Sequence, residues 1–122
     1  MASIRNASTI MASPMEFGPW LRQLRESKER MLRELAAVAA MDQSHLGKVE
    51  RGQRLPKDEQ AMAMARFLDV PVADMRARLV AARLLKACAG DHALAVNAAG
   101  FVQEAAAPYL VNKSVNRGPN KK

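Results

Sequence analysis

A short segment in the first half of the chain concentrates polar groups that can hydrogen-bond to nucleic-acid bases. Two apolar residues within it, Leu46 and Val49, are three positions apart, a spacing that puts both on one face of a helix. The remaining positions would face outward, and they are Gln43, Ser44, His45, Gly47 and Lys48. Gln can pair with adenine, Lys can reach guanine, and a helix fits the major groove of B-DNA. The segment therefore predicts a helix whose outward face reads base edges.

Two of these outward positions have a second interpretation. Glycine in the middle of a helix costs about 1 kcal/mol relative to alanine. Either Gly47 allows a close approach to DNA, or it is neutral at an exposed site. His45 has no partner at the spacing of metal ligands, so no metal site is predicted there. Both residues are kept as base-reading candidates.

Cationic and amide side chains follow this helix. Arg51, Arg54 and Lys57 suit phosphate contacts, with Gln53 as a neutral donor. Such contacts fix a protein on the duplex without reading its sequence. The alternative is that each of these residues is an ordinary surface group.

A second helix must hold the base-reading helix in place. Two helices that cross steeply need a small residue at their contact, here Ala36, and a short turn, here Ala40-Met41-Asp42. Asp42 is a suitable N-cap for a helix at 43–50. Gly52 would end that helix in a left-handed conformation.

The hydrophobic periodicity predicts an all-α chain of five or six helices without strands. The first helix opens with Ser13 and Pro14, and the last one begins after Asp91 and ends before Pro108. The predicted ranges are about 16–28, 31–39, 43–50, 56–68, 71–89 and 92–107. The residues expected to face inward in the first four helices are Phe17, Trp20, Leu21, Leu24, Met31, Leu32, Leu35, Ala36, Ala39, Leu46, Val49, Ala61, Met64, Ala65 and Leu68.

The positive charge of the chain is unevenly distributed. The 122 residues include 19 Lys and Arg against 12 Asp and Glu, a net charge of +7 that favours an anionic partner such as nucleic acid. Residues 111–122 hold four basic residues and no acid, whereas residues 16–68 hold ten basic and eight acidic residues. The basic tail either improves solubility or adds phosphate contacts.

The composition argues against several classes of protein. The single Cys88 cannot form an intrachain disulfide, and it is expected to be a small buried residue. No apolar run is long enough for a transmembrane helix, and the N-terminus lacks the apolar region of a signal peptide, so a cytoplasmic protein is expected. Only His45 and His92 could serve Cys88 as a base, and there is no Gly-rich phosphate loop. Neither an enzyme nor a bound cofactor is predicted.

Four segments carry a resemblance to a known family. In order along the chain they are LRQLRES, LRELA, HLGKVERGQRLP and ARFLDVPVADM. With this order and spacing, residues 17–75 resemble the Cro/repressor (XRE) type of helix-turn-helix domain. The resemblance implies a five-helix, usually dimeric domain that binds operator DNA and regulates transcription in a bacterial or phage-infected cytoplasm, where it associates with the nucleoid. It also implies an ion pair between Arg25 and Glu50.

Two positions depart from the family pattern. The family usually has a phosphate-contacting Gln at the start of the second helix, where this chain has Leu32, and Arg33 is the candidate to replace that contact. The family usually has a glycine in the turn, where this chain has Ala40. Either Ala40 bears a strain of about 1 kcal/mol or the turn differs.

The chain is accordingly divided into four parts. These are a flexible arm at 1–14, the helix-turn-helix domain at 15–75, C-terminal helices at 76–110 and a disordered basic tail at 111–122. The C-terminal helices are rich in Ala, with Met75, Leu79 and Ala82 along one stripe and Val96 and Phe101 along another. We expect them to pack on the domain and to form a dimer interface, and intrachain packing alone is the alternative.

The combined prediction is a sequence-specific DNA-binding transcriptional regulator. It is expected to be a homodimeric repressor that binds double-stranded DNA at a near-palindromic operator, without a membrane or a cofactor. Control of a restriction–modification system is one version of this role. The alternative is an antitoxin that binds a protein toxin and regulates its own operon.

Overall fold

Six helices follow one another in the computed structural model, which describes the backbone of residues 16–117 and the side chains of residues 16–110. They are α1 (Phe17–Ser27), α2 (Leu32–Val38), α3 (Gln43–Glu50), α4 (Asp58–Phe67), α5 (Val72–Ala87) and α6 (His92–Arg117). No strand occurs within this range, so the all-α fold class is confirmed. The arm at 1–14, with the capping signal at Ser13 and Pro14, lies outside the described residues, as do residues 118–122.

Local sequence signals explain where most helices begin. The Asp42 side chain accepts a hydrogen bond from the backbone N–H of His45 at 2.7 Å, and Asp91 caps α6 in the same way. Pro19 lies in the first turn of α1, where a backbone N–H has no intrahelical partner to lose. The predicted start of α4 at residue 56 is wrong by two residues. Lys57 is still extended, with φ −80° and ψ 165°, and α4 begins after it.

The first four helices end in the same way, with a residue in the left-handed conformation that turns the chain. Glu29, Ala40, Gly52 and Asp69 have positive φ two residues after the last residues of α1, α2, α3 and α4. In each case the next backbone N–H bonds back to a carbonyl in the last turn, for example Met41 to Ala36 at 3.0 Å. The predicted conformation of Gly52 is confirmed. Ala40 has a φ of 56°, so the turn keeps the geometry that usually employs glycine.

A single apolar core joins the helices up to the middle of α5. α1 packs against α3, and α2 packs against both α3 and α4. The residues expected to face inward are buried, apart from the partly buried Leu32 and the exposed Met31. Met31 is the N-cap of α2, and its side chain is 49% exposed because it precedes the helix instead of lying on its inner face. Met75 and Leu79 of α5 complete the core.

The described residues divide into two units, the first ending at Arg83 and the second starting at Leu84. The prediction that α6 ends before Pro108 is wrong, because the helix contains Pro108 and continues to Arg117. Proline removes one backbone N–H, which leaves the carbonyl of Glu104 without its helical partner. Pro108 and Glu104 are both exposed, so water can bond to that carbonyl.

Most side chains of the second unit face solvent. Val96 and Phe101 are 70% and 72% exposed, so none of the described residues covers the packed stripe predicted through them. Within residues 92–110, Ala95 alone is buried. Cys88, predicted to be buried, is only half-buried. The sequence pattern of alternating Ala and larger apolar residues therefore does not mark a buried intrachain face here.

Candidate nucleic-acid interface

The proposed base-reading helix is α3, and two elements hold it. Leu46 and Val49 are fully buried in the core, which fixes the inner face of the helix against α1 and α2. The Asp42 cap fixes its first turn. Leu46 and Val49 therefore anchor the helix as their spacing indicates.

The opposite face of α3 is turned to solvent. Gln43, Ser44 and Lys48 are exposed, and His45 and Gly47 are half-buried. Within the part of the chain that the structure describes, no hydrogen bond or ion pair engages the side chains of Gln43, Ser44, His45 or Lys48. Their donors and acceptors are thus available to a ligand. The five candidate positions share one accessible surface, and their role in reading bases stays a prediction.

Gly47 has a neighbour that the sequence did not indicate. A Cβ atom built on Gly47 would lie 3.3 Å from Nη1 of Arg51. The Arg51 guanidinium therefore lies beside the backbone of Gly47, which precedes Arg51 by one helical turn. Because Gly47 has no side chain, the Arg51 guanidinium can lie on the same surface as Lys48.

The predicted phosphate-contacting residues are all exposed. Arg51, Gln53 and Arg54 lie between α3 and α4, in a segment tied to the protein by the buried Pro56 and the partly buried Leu55. Arg51 and Gln53 also line an open groove together with Glu50 at the end of α3 and with residues of α1, namely Pro19, Arg22, Gln23 and Glu26. These side chains can therefore reach a ligand that lies along α3.

Two further predicted phosphate-contacting residues, Arg33 and Lys57, come from other elements. Arg33 lies in the first turn of α2, where the positive end of the helix dipole adds to its charge. Lys57 precedes the first turn of α4, which carries Asp58 and Glu59. Asp58 is paired with Arg83 at 2.9 Å, whereas Glu59 has no such partner among the described residues and opposes the charge of Lys57. Lys57 therefore has an acid beside it, as Arg33 has Glu34.

The last residue of α3, Glu50, is a buried acid that is paired within the protein. Glu50 and Arg25 form the ion pair implied by the family resemblance, with Nε–Oε2 and Nη2–Oε1 distances of 2.7 and 3.1 Å. Nη1 of Arg25 also donates to the carbonyl oxygen of Arg30 at 2.9 Å. The hydrogen bond to Glu50 raises the pKa of Arg25, so Arg25 stays charged. The negative charge of Glu50 is therefore neutralised within the protein by Arg25.

Gly18 is a positioning residue that sequence reasoning missed. A Cβ atom there would clash with the carbonyl oxygen of Val49 and lie 2.8 Å from the Gly52 nitrogen and 2.9 Å from the Glu50 oxygen. The backbone of α1 therefore touches the backbone at the end of α3. The sequence gives only a partial signal for this close contact, because a glycine before Pro19 is compatible with the first turn of any helix.

The described part of the chain holds neither a candidate metal site nor a helix that could span a membrane. No group of three or more His, Cys, Asp or Glu within residues 16–117 could hold a metal ion. None of the described helices combines the length and apolar character needed to cross a membrane.

Comparison with known proteins identifies the domain that contains this surface. Residues 16–79, just over half of the chain, match the family described as "Helix-turn-helix domain". No curated protein and no solved structure gives a significant match. Helix-turn-helix domains of this kind are typically non-enzymatic and bind DNA. The chain therefore belongs to this helix-turn-helix domain family, which lies within the Cro/XRE-like class, and its membership indicates a DNA-binding regulator.

Proposed function

We propose that this protein is a sequence-specific transcriptional regulator that inserts α3 into the major groove of double-stranded DNA. The observation that carries the proposal is the outward face of α3. Gln43, Ser44 and Lys48 are exposed and unengaged there, while Leu46 and Val49 lock the other face into the core. A rigid helix with free donors and acceptors is what base reading requires.

Two sets of residues divide the work of binding. The base-reading set lies on α3 and consists of Gln43, Ser44, His45, Gly47 and Lys48. The phosphate set lies around it and consists of Arg33, Arg51, Gln53, Arg54 and Lys57. Phosphate contacts supply affinity for any duplex, and base contacts discriminate between sequences.

The regulator acts as a homodimer on a near-palindromic operator. A two-fold dimer presents two copies of α3, which enter successive major grooves about one helical turn, or roughly 34 Å, apart. A small domain that occupies an operator needs no further activity to block transcription, which favours a repressor. Such a protein acts in a bacterial or phage-infected cytoplasm, on the nucleoid.

Two specific biological settings fit this function. One is control of a restriction–modification system, supported by the LRELAA segment, the ERG turn and the length of the helical extension. The other is an antitoxin, supported by the exposed apolar side chains of Val96 and Leu110 on α6, to which a protein toxin could bind. A neighbouring methyltransferase or nuclease gene would favour the first setting, and a neighbouring toxin gene would favour the second.

Selection of bound duplexes from a random DNA pool tests the proposal. We expect the recovered sequences to share two inverted half-sites with centres about 10 base pairs apart. Recovery of a random population, with the same affinity for every duplex, would contradict sequence-specific binding. Recovery of one unrepeated half-site would contradict only the dimeric part of the proposal.

A further inference from the structure

α6 exposes far more apolar surface than a solvated helix normally does. Between residues 92 and 110 it holds one ionised residue, Glu104, and one buried residue, Ala95. Its large apolar side chains are exposed, and they are Leu94, Val96, Phe101, Val102, Tyr109 and Leu110. An apolar patch of this extent on a helix marks a surface that another molecule covers.

Six apolar residues of α6 lie within one arc of the helix. At about 100° per residue, they fall within roughly 100° around the axis. We call this set the α6 stripe, and its members are Leu94, Ala98, Phe101, Val102, Ala105 and Tyr109. Val96 lies on the opposite side of the helix. The α6 stripe is thus a continuous surface about four turns long.

The order of residues in the α6 stripe is self-complementary. Read from either end, the side chains run large, small, large, large, small, large, and the midpoint lies between Phe101 and Val102. A two-fold axis at that midpoint, perpendicular to the helix, places each large residue opposite a large one and each small residue opposite a small one. The geometry points to a second copy of this chain as the occupant, with the two α6 helices packed antiparallel.

This arrangement makes three kinds of contact, each occurring twice. Leu94 faces Tyr109 of the second copy, Phe101 faces Val102, and Ala98 faces Ala105. The paired alanines allow the two backbones to approach closely, as small residues do at helix contacts. The two aromatic residues supply the largest contact areas at the centre and the ends.

The exposed area of the α6 stripe is a large share of what a stable dimer buries. The four large residues of the α6 stripe are 51–74% exposed. With side chains of this size, that exposure amounts to roughly 500 Å² per chain, before the alanines are added. A standard interface buries about 800 Å² per partner, so the α6 stripe supplies the greater part of one.

The charge distribution favours the antiparallel over the parallel arrangement. The last turns of α6 carry Lys113 and Arg117 without an acid. Parallel helices would bring two such cationic ends together, whereas antiparallel helices hold them apart by the length of the α6 stripe. Within the α6 stripe there is no charge to be desolvated.

This inference rests on the proposed function in one respect, because it names the contact that joins the two copies of the proposed repressor. It predicts the orientation as well as the existence of the dimer. Both can be measured without DNA, so the α6 contact and DNA reading can fail separately.

Cysteine cross-linking measures the orientation directly. In a Cys88→Ala background, the double variant Ala98→Cys/Ala105→Cys places two thiols in one chain about 10 Å apart along the helix, too far to bridge to each other. We expect this variant to form a covalent dimer under mild oxidation, reversible by dithiothreitol, and the single variant Ala98→Cys to form none. Cross-linking by the single variant would show a parallel pair, and no cross-linking by either variant would overturn the contact.

A matched pair of valines provides the second test. Val102 lies at the centre of the α6 stripe and is 63% exposed, and Val96 on the opposite side is 70% exposed. By light scattering at micromolar concentration, we expect Val102→Glu to halve the molar mass of the wild-type dimer and Val96→Glu to leave it unchanged. A wild-type monomer, or equal behaviour of the two variants, would overturn the proposal.

The DNA selection then separates the two proposals. A monomeric protein that selects one defined half-site would refute the α6 contact and leave DNA reading intact. A cross-linked dimer that selects no sequence would refute DNA reading and leave the α6 contact intact.

Discussion

Glu50, the last residue of α3, is held by Arg25 of α1 through two hydrogen bonds of 2.7 and 3.1 Å. The side chains are only 5% and 12% exposed, so both charges are largely removed from water. The pair joins the end of α3 to α1, the helix that packs against it. It fixes the orientation of α3 and neutralises the one acidic side chain of that helix.

Replacing one partner of this pair should be strongly destabilising. We expect Glu50→Ala to lower the free energy of unfolding by about 3 kcal/mol, because the Arg25 charge stays buried without its partner. The contribution persists at alkaline pH, since a raised pKa means that Arg25 loses its charge only above its ordinary, already high range. Urea titration monitored by circular dichroism measures the loss.

The matched control is Arg22→Ala, which breaks another arginine–glutamate pair on α1. Arg22 and Glu26 are 60% and 52% exposed, so this pair should contribute at most about 0.5 kcal/mol. If Arg22→Ala and Glu50→Ala lower the free energy of unfolding by similar amounts, the Arg25–Glu50 pair does not hold α3 more strongly than a surface ion pair would.

Gly18 should tolerate no side chain. A Cβ there meets backbone atoms of Val49, Glu50 and Gly52, which cannot move without shifting α3. We expect Gly18→Ala to destabilise the protein by about 2–3 kcal/mol in the same unfolding experiment.

Gly47→Ala is the control for this second prediction. Its new methyl group would meet only the flexible end of Arg51, and alanine favours the helix by about 1 kcal/mol. The variant should therefore be at least as stable as the wild type. A destabilised Gly47→Ala protein, or a fully stable Gly18→Ala protein, would contradict the packing described for these helices.

The turn before α3 can be stabilised by a single change. Ala40 has a left-handed φ of 56°, which glycine adopts without strain. We expect Ala40→Gly to raise the free energy of unfolding by about 1 kcal/mol. Ala37 is an exposed residue inside α2. Its mutation to glycine should instead lower the free energy of unfolding by about 1 kcal/mol. Thermal unfolding of the two variants decides whether Ala40 is strained.

Arg54 should contribute equally to every DNA sequence. If it contacts one phosphate, Arg54→Ala will reduce the slope of log affinity against log salt by about one unit. An exposed arginine on α5, Arg76, provides a control whose replacement should leave the slope unchanged. Titrations of a fluorescent duplex at several salt concentrations give both slopes. Equal slopes for Arg54→Ala and the wild type would remove Arg54 from the phosphate set.

Much of the first unit could be predicted because its signals are local. The N-cap Asp42, the anchors Leu46 and Val49, and the turn at Gly52 each act within a few residues. The apolar face of α1 has helical spacing and lies in the core as that spacing predicts. Residues whose structure follows from near neighbours can be placed from one sequence.

The remaining features depend on distant backbone or on solvent. Gly18 is required because α1 meets the end of α3, some 30 residues away, and nothing beside Gly18 indicates that contact. Proline usually stops a helix, but an exposed helix loses only one backbone hydrogen bond to Pro108, and the freed carbonyl is open to solvent. The exposure of Phe101 was missed because an apolar stripe looks the same whether the same chain or a second molecule covers it.

Lys48 tests most directly whether side chains of α3 read bases. The random-pool selection should be repeated with Lys48→Ala and with Arg54→Ala beside the wild type. We expect Lys48→Ala to lose base preference at one position of each half-site and about 1–3 kcal/mol of affinity for the wild-type operator. Arg54→Ala should recover the wild-type operator with lower affinity overall. An unchanged operator for Lys48→Ala, with the same loss of affinity on specific and random DNA, would contradict base reading by Lys48 on α3.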